Sequence, residues 1–581
     1  MTNGSNKPTN SDKTMNTLPI RLLLMLLFPA MLSARTIHVS PSGSDAGDGT
    51  SGQPYQTLMK ALEEASDNDV IELQTGTYQS NELRITQNNL TIRSASGQWA
   101  KIVAPVDVED IGSCIWYREP EVNGGRLERL EIVGGYYYGV KFETNWDFTD
   151  DNGVQLQLSQ RRGVKGVTII GCKIHDTGRD CIKLTPGCSD ISILSCEIYR
   201  SGVGPANNPG NPDPYSHNAE GIDNVNAARM VVRNCYFHDI STTGVYAKGG
   251  ATDCLIEQNL IVNTGDGGIF LGFDTDLEFF DTIQNPNHYD CLRGIARNNI
   301  ILNTGAAGIG FWGAKDCQAI NNTVITASTN FHAPLFINHN SMYYGEEPEP
   351  SVEMPCEGLV VKNNIFVDNT GTGDEDYTAI IRPMGLTGNN SFGNNCYFKT
   401  GRAAQFDIAG DAAVDFNQWK AFVKGEAQSL EADPQLNNQH HLTAASPCID
   451  KGDATPGTNN DYDGNPRSSA VDIGADEFGG TTLQTPPEEG TVGTGLNGAT
   501  SGVNEEQIPA AVRGLRGESG TFLIELPLPL RQQSAKVFSI SGQQVASFTA
   551  EAGLLTVSLA SQPDGVYLLQ LAGETVALVK Q

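Results

Sequence analysis

The sequence predicts an all-β protein: a right-handed parallel β-helix followed by a small β-sandwich. Three observations carry that prediction. A short unit recurs along most of the chain, the strands that share it alternate apolar and polar residues, and 63 glycines accompany many turn dipeptides but little helical periodicity.

The recurring unit appears as GCKI around Cys172, SCEI around Cys196, NCYF around Cys235 and QNLI around Asn259. It continues as NNII around Asn299, NNTV around Asn322, NNIF around Asn364 and NCYF around Cys396. Each copy has Cys or Asn at one position and a large apolar residue two positions on: Ile174, Ile198, Phe237, Ile261, Ile301, Val324, Phe366 and Phe398. The shortest separations are 23 and 24 residues, and the longer ones fit the same unit with loop insertions. A unit of this length without a helix is one coil of a parallel β-helix. Coils stack ~4.8 Å apart, so the Cys/Asn position becomes an interior ladder at a turn. In such a ladder the cysteines fill space and need no bridge.

Each coil also contains a short strand after a loop: GVKFE, CIKLT, GIDNV, GVYAK, GIFLG, GIGFW. Alternation puts Val140, Ile182, Ile222, Val245, Ile269 and Ile309 inside. Lys141, Lys183, Asp223, Tyr246 and Phe270 then form one outward column, with Lys248 two residues further along its strand. Long insertions, 201–219 and 274–290, flank this face, and function is disproportionately carried on loops set beside a rigid face. Lys141, Lys183 and Tyr246 are the substrate-binding candidates. For Tyr246 and Trp312 the plainer reading is cover for the sheet, and His217 and His238 read as surface residues.

Asp180 and Glu220 occupy the same position in neighbouring coils, and Asp223 lies three residues after Glu220. Three converging carboxylates repel unless a cation lies between them. Oxygen-only ligands suit calcium, and the alternative is a solvated acidic face. Lys248, one coil beyond Asp223, is within side-chain reach. Lys183 stacks directly beside Asp223, so it competes with Lys248 as a functional lysine and also reads as a simple ion pair.

The opening HVSPSGSDAGDGTSGQPYQTLMKALEEASDNDVIELQTGTY (residues 38–78) resembles that of polysaccharide lyase family 9 and related, pectate-lyase-like β-helix proteins. That resemblance implies calcium held by Asp residues at the starts of consecutive strands, here with Glu220 in place of one Asp, and a lysine on a later coil as the base. Asp180 in RDCIK, Glu220 and Asp223 in AEGID, and Lys248 in VYAKGG fall at those positions. The implied activity is calcium-dependent β-elimination on a uronic-acid polymer. Two other functions stay open: a glycoside hydrolase using two of the three carboxylates, or a non-catalytic surface carbohydrate-binding or adhesion protein.

The formal net charge of −30 disfavours nucleic acid as a partner and would repel an acidic polysaccharide unless a cation reverses the sign locally. Residues 1–34 read as a signal peptide, with Arg21 before an apolar run that ends in Ser33 and Ala34. An exported or outer-membrane-surface bacterial protein, monomeric, is expected. The β-helix is expected over 35–478, with ADPQLNNQHHLTAASPCIDKGD and DYDGNPRSSAVDIGADEF forming a closing cap over about 432–478 whose Asp run is a second possible calcium site. A Gly/Thr/Pro linker at 479–506 leads to a sandwich at 507–581. There SGQQV and DGVYLLQL resemble the C-terminal sorting domain of type IX secretion, which implies that secretion machinery as a partner.

Overall fold

The computed structural model describes residues 34–484 apart from 119–121, 145–156, 158–160, 212–216, 277–278, 344–350, 370–376, 411–412 and 456–457, and beyond them seven strands between 513 and 580. The expected signal peptide and most of the expected linker lie outside the described residues. The chain divides into two compact units, residues 1–488 and 489–581.

The first unit is a parallel β-helix. Among the described residues, one 12-stranded sheet runs from Thr36–Val39 to Ser391–Gly393 and an 11-stranded sheet from Leu83–Ile85 to Phe406–Ile408. A second 12-stranded sheet runs from Gly76–Gln79 to Leu430–Glu431, and every neighbouring pair in the three sheets is parallel. The expected register is the observed one. In the 11-stranded sheet Val140, Ile182, Ile222, Val245, Ile269 and Ile309 are successive partners, all fully buried.

The ladder is also present. Asn259 Nδ2 donates to Asn299 Oδ1 at 3.0 Å, Asn299 to Asn322 at 2.9 Å and Asn322 to Asn364 at 2.9 Å. At the N-terminal end of the column, Cys196 N–H donates to Cys235 Sγ at 3.4 Å, and all 12 cysteines are buried and unbridged. One position needs correction: the next rung after Asn364 is Asn395, which accepts from Asn364 Nδ2 at 3.1 Å, not Cys396. Phe366 accordingly pairs with Tyr397, and Tyr397 rather than Phe398 is buried. The amide pair carries the hydrogen-bonded chain on, with Asn364 N–H also donating to Asn395 Oδ1 at 2.9 Å. At the end of the ladder Asn395 Nδ2 donates to Glu426 at 3.1 Å.

The structure explains the doubled asparagines. Asn298, Asn321, Asn363 and Asn394 precede the ladder and have φ of 53°, 53°, 60° and 53°, a left-handed turn that asparagine tolerates. Their side chains face outward and bind the segment expected to be the cap: Asn298 Nδ2 to Asn460 O at 2.8 Å, Asn321 to Asp472 O at 3.0 Å, Asn363 to Asp453 O at 2.8 Å. The 432–478 segment therefore runs along the flank of the helix instead of closing its end. The ends are covered by helices: Leu58–Glu64 buries Leu58, Ala61 and Leu62, and Phe416–Val423 buries Trp419 against Phe406 with rings 4.8 Å apart. The Asp415/Gln418 capping box starts the second helix.

The second unit has two antiparallel sheets. One orders Arg513–Arg516, Thr521–Glu525 and Leu554–Ser558; the other orders Gln544–Thr549, Ser534–Ser539, Gly565–Leu571 and Glu574–Lys580.

Candidate functional site

The outer face of the 11-stranded sheet carries the column expected from alternation. Trp116, Lys141, Lys183, Asp223, Tyr246 and Phe270 are successive register partners, and Lys248 pairs with Val225 two residues along from Asp223. Asp180 and Glu220 sit at the start of their strands, where Cys181 N–H donates to Glu220 O at 3.0 Å and locks the two coils together.

Asp180, Glu220 and Asp223 converge so that each offers an oxygen within 4.8 Å of the others. They are 0%, 4% and 1% exposed, which rules out a solvated acidic face. Asp180 Oδ1 accepts Glu220 N–H at 3.2 Å and Glu220 Oε1 accepts Thr242 Oγ1 at 3.1 Å. Asp180 Oδ2, Glu220 Oε2 and Asp223 Oδ1 are buried without a hydrogen-bond partner. An orphaned buried carboxylate oxygen is costly, and three together fit a hard divalent cation, which takes oxygen ligands and leaves positions for water or substrate.

The electrostatics divide the three. Burial, then Glu220, hold the Asp180 carboxyl well above the usual range. Burial pushes Asp223 the same way, but Lys183 and Lys248 overcome it and hold Asp223 below the usual range.

The two lysines differ. Lys183 Nζ bonds directly to Asp223 Oδ2. Burial opposes its charge, yet Asp223 and Asp180 outweigh burial and raise its pKa. This is a largely buried ion pair, not the exposed one allowed by the sequence. Lys248 Nζ stands 3.8 Å from Asp223 Oδ1 and 4.5 Å from the centre of the Tyr246 ring.

Tyr246 points outward as expected but is 2% exposed, covered by Phe273 at 4.9 Å and packed with Phe270 and Trp312 in an outer apolar layer. Tyr246 as a substrate-binding candidate is therefore corrected to a buried support for Lys248, and the plainer reading, cover for the sheet, fits Tyr246 and Trp312; beyond Phe273 the chain folds back, with Asn226 Nδ2 donating to Phe279 O at 2.8 Å. Lys141 lies two register steps from Asp223, over the Trp116 ring at 4.8 Å and 3.7 Å from Glu143. His238 is half-buried, not a free surface residue: its ring stacks 4.6 Å from Tyr199 and it bonds Asp239 at 2.9 Å.

Two neighbours of the site were missed from sequence. Arg179, beside Asp180, donates from Nε to Asn218 O at 3.0 Å. Asp266, two coils beyond Glu220, is pushed up to about 7 by burial and then by Glu220. Aligning RDCI, AEGI, TTGV and DGGI puts Arg179 and Asp266 at one coil position, so the register contained the signal. A second group, His441, Asp463 and Asp476, lies in the flanking segment, where His441 Nε2 meets Asp463 at 2.8 Å and Asp476 accepts Leu442 N–H at 2.8 Å.

Comparison with known proteins agrees with this architecture. Residues 132–328 match the family model described as a right handed beta helix region, and residues 41–84 match a model described as a protein of unknown function, DUF1565. No curated protein matches the sequence. Among solved structures, pectate lyase Pel9A is similar at 15% identity and a TM-score of 0.41, over 77% of this chain and 97% of its own. XylC in complex with xylose is similar at 11% identity and 0.42, over 77% and 99%. The A-module of the mannuronan C-5 epimerase AlgE6 of Azotobacter vinelandii is similar at 12% identity and 0.39, over 65% and 94%. The sheet order and the matched family model together make the first unit a right-handed parallel β-helix.

Proposed function

We propose that the first unit is a calcium-dependent polysaccharide lyase that cleaves a uronic-acid polymer, pectate-like, by β-elimination. The observation that carries this reading is the buried carboxylate trio with three oxygens that lack a hydrogen-bond partner, beside a lysine whose amine makes only a 3.8 Å ion pair with Asp223. Asp180, Glu220 and Asp223 would hold the ion. When bound there, calcium neutralises the substrate carboxylate and stabilises the charge that develops on loss of the C5 proton. Lys248 is the base that takes that proton; the C4=C5 double bond forms as the C4–O4 bond breaks, and the departing O4 gains a proton from solvent water. Lys183 is held protonated by Asp223 and Asp180 and so serves to orient Asp223. Tyr246 and Phe273 wall the Lys248 amine and limit water there.

A glycoside hydrolase is the second reading, favoured by one feature. Burial pushes the carboxyls of both Asp180 and Asp266 up, and a general acid needs such a carboxyl. Incubation with a panel of uronic-acid polymers separates the two, because only elimination gives an unsaturated, ultraviolet-absorbing product. Lys248→Ala should abolish that product with the fold and calcium affinity kept. Activity that survives in Lys248→Ala but not in Lys183→Ala moves the base to Lys183. Activity indifferent to chelation removes the metal from the reading.

Export is part of the proposal. The leader supports passage across the inner membrane, and the resemblance of the last 75 residues to a type IX sorting domain supports delivery to the cell surface or medium.

A further inference from the structure

The 11-stranded sheet carries a second outward cluster three strand steps from Asp223 toward the N-terminus. Trp116 is the centre. The guanidinium of Arg84 lies 5.2 Å from the indole centre, that of Arg118 5.0 Å and the Lys141 amine 4.8 Å. Arg84, Trp116, Lys141, Lys183 and Asp223 are consecutive register partners, so cluster and candidate site share one straight column. Arg118 is exposed, Trp116 half-buried, and the Arg84 side chain 54% exposed. Two carboxylates stand by, Glu82 at 2.8 Å from Arg84 and Glu143 at 3.7 Å from Lys141, against three cations.

This gathering of positive charge stands out in a chain with a net charge of −30. The indole face attracts each cation modestly, but the cations repel one another, and nothing in the strand geometry requires them there. An anionic ligand laid against the three cations relieves the repulsion, and the carboxylates of an acidic sugar suit the guanidinium forks. The distance from Trp116 to Asp223 is three strand spacings, ~14 Å, a span of several sugar units.

We propose that Trp116, Arg84, Arg118 and Lys141 form a distal subsite for an acidic glycan, so that the polymer lies across the strands from the Asp223 site toward the N-terminal coils. The proposal rests on the acidic-polysaccharide reading above and adds a direction to it. Long substrates reach both places, and short ones only the carboxylate site.

The test is binding by the full chain of an octamer and a trimer of galacturonate, followed by tryptophan fluorescence. Arg118→Ser and Trp116→Ala should each weaken octamer binding about tenfold, equivalent to 1.4 kcal/mol, and leave the trimer much less affected. The octamer-over-trimer preference should also shrink with added salt. Circular dichroism of both variants checks the fold, and Arg118→Ser, an exposed position, keeps the test valid if Trp116→Ala unfolds. Lys248→Ala separates the two claims, since it should retain octamer binding while losing turnover. If Lys248→Ala remains fully active, Lys248 is not the base, and the subsite still stands on its binding data. Octamer affinity unchanged in Arg118→Ser, or equal wild-type affinity for a neutral glucan octamer or a DNA oligomer, overturns the subsite.

Discussion

Asn322→Ala tests the physical basis of the fold most directly. Asn322 is fully buried and makes four side-chain hydrogen bonds. Its Oδ1 accepts Asn299 N–H at 3.0 Å and Asn299 Nδ2 at 2.9 Å, and its Nδ2 donates to Ala296 O and Asn364 Oδ1, both at 2.9 Å. Truncation orphans two donors of Asn299 and the Ala296 carbonyl, whereas Asn364 Oδ1 keeps the Asn322 backbone N–H at 3.0 Å. Each stranded buried donor costs about 1–3 kcal/mol, so a loss of about 2–6 kcal/mol is expected. The chain supplies its own intermediate. In the same column Cys235 accepts Cys196 N–H at 3.4 Å and donates to Ile193 O at 3.5 Å, so a thiol replaces part of the amide's bonding. Asn322→Cys should therefore lose about half as much as Asn322→Ala. Asn303→Ala, which removes an exposed asparagine pair with Asn263, should change stability by less than about 0.5 kcal/mol. Urea unfolding followed by far-ultraviolet circular dichroism, with the denaturant slope compared across variants, reads all three. A midpoint shift for Asn322→Ala no larger than that for Asn303→Ala would refute the ladder as a source of stability.

Three further outcomes are expected. Asp223→Ala strands the largely buried Lys183 and should cost about 3–5 kcal/mol in chemical denaturation, while the Asp223→Ala/Lys183→Met pair recovers most stability but no activity. Without divalent cations, stability should fall as pH rises from about 4 toward 7. Burial pushes Asp266 and Asp290 from 3.8 up to about 7, so the folded state binds their protons more tightly, a gain present at low pH and lost as they ionise; Asp266→Asn should flatten that slope in thermal melts across pH, and a steepening would contradict the assignment. Glu426→Ala should destabilise by several kcal/mol in urea, because it strips partners from Tyr397, Trp419 and the last ladder asparagine at once, whereas Glu426→Gln should be milder by hydrogen-exchange protection of Asn395.

The sequence by itself determined the fold class, the register of the outward face of the 11-stranded sheet and the meeting of Asp180, Glu220 and Asp223. It could do so because a parallel coil repeats: side-chain direction has a period of two and neighbouring coils stack at one spacing, so positions in the string translate directly into columns in space. Even the slip from Asn395 to Cys396 was a single step within a correctly placed coil. The tertiary structure decided what the repeat does not encode. A loop of no fixed period brought Phe273 over Tyr246, so that a candidate substrate contact is a buried wall. Charge alone does not distinguish Lys183 from Lys248; their different settings follow from rotamers that seat one amine on Asp223 and hold the other 3.8 Å away. The flanking path of residues 432–478 depended on outward asparagine amides finding backbone carbonyls about ninety to one hundred and sixty residues away. The cations around Trp116 likewise come from side-chain reach across three strands and a strand end, contacts set by packing in three dimensions and not by spacing along the chain.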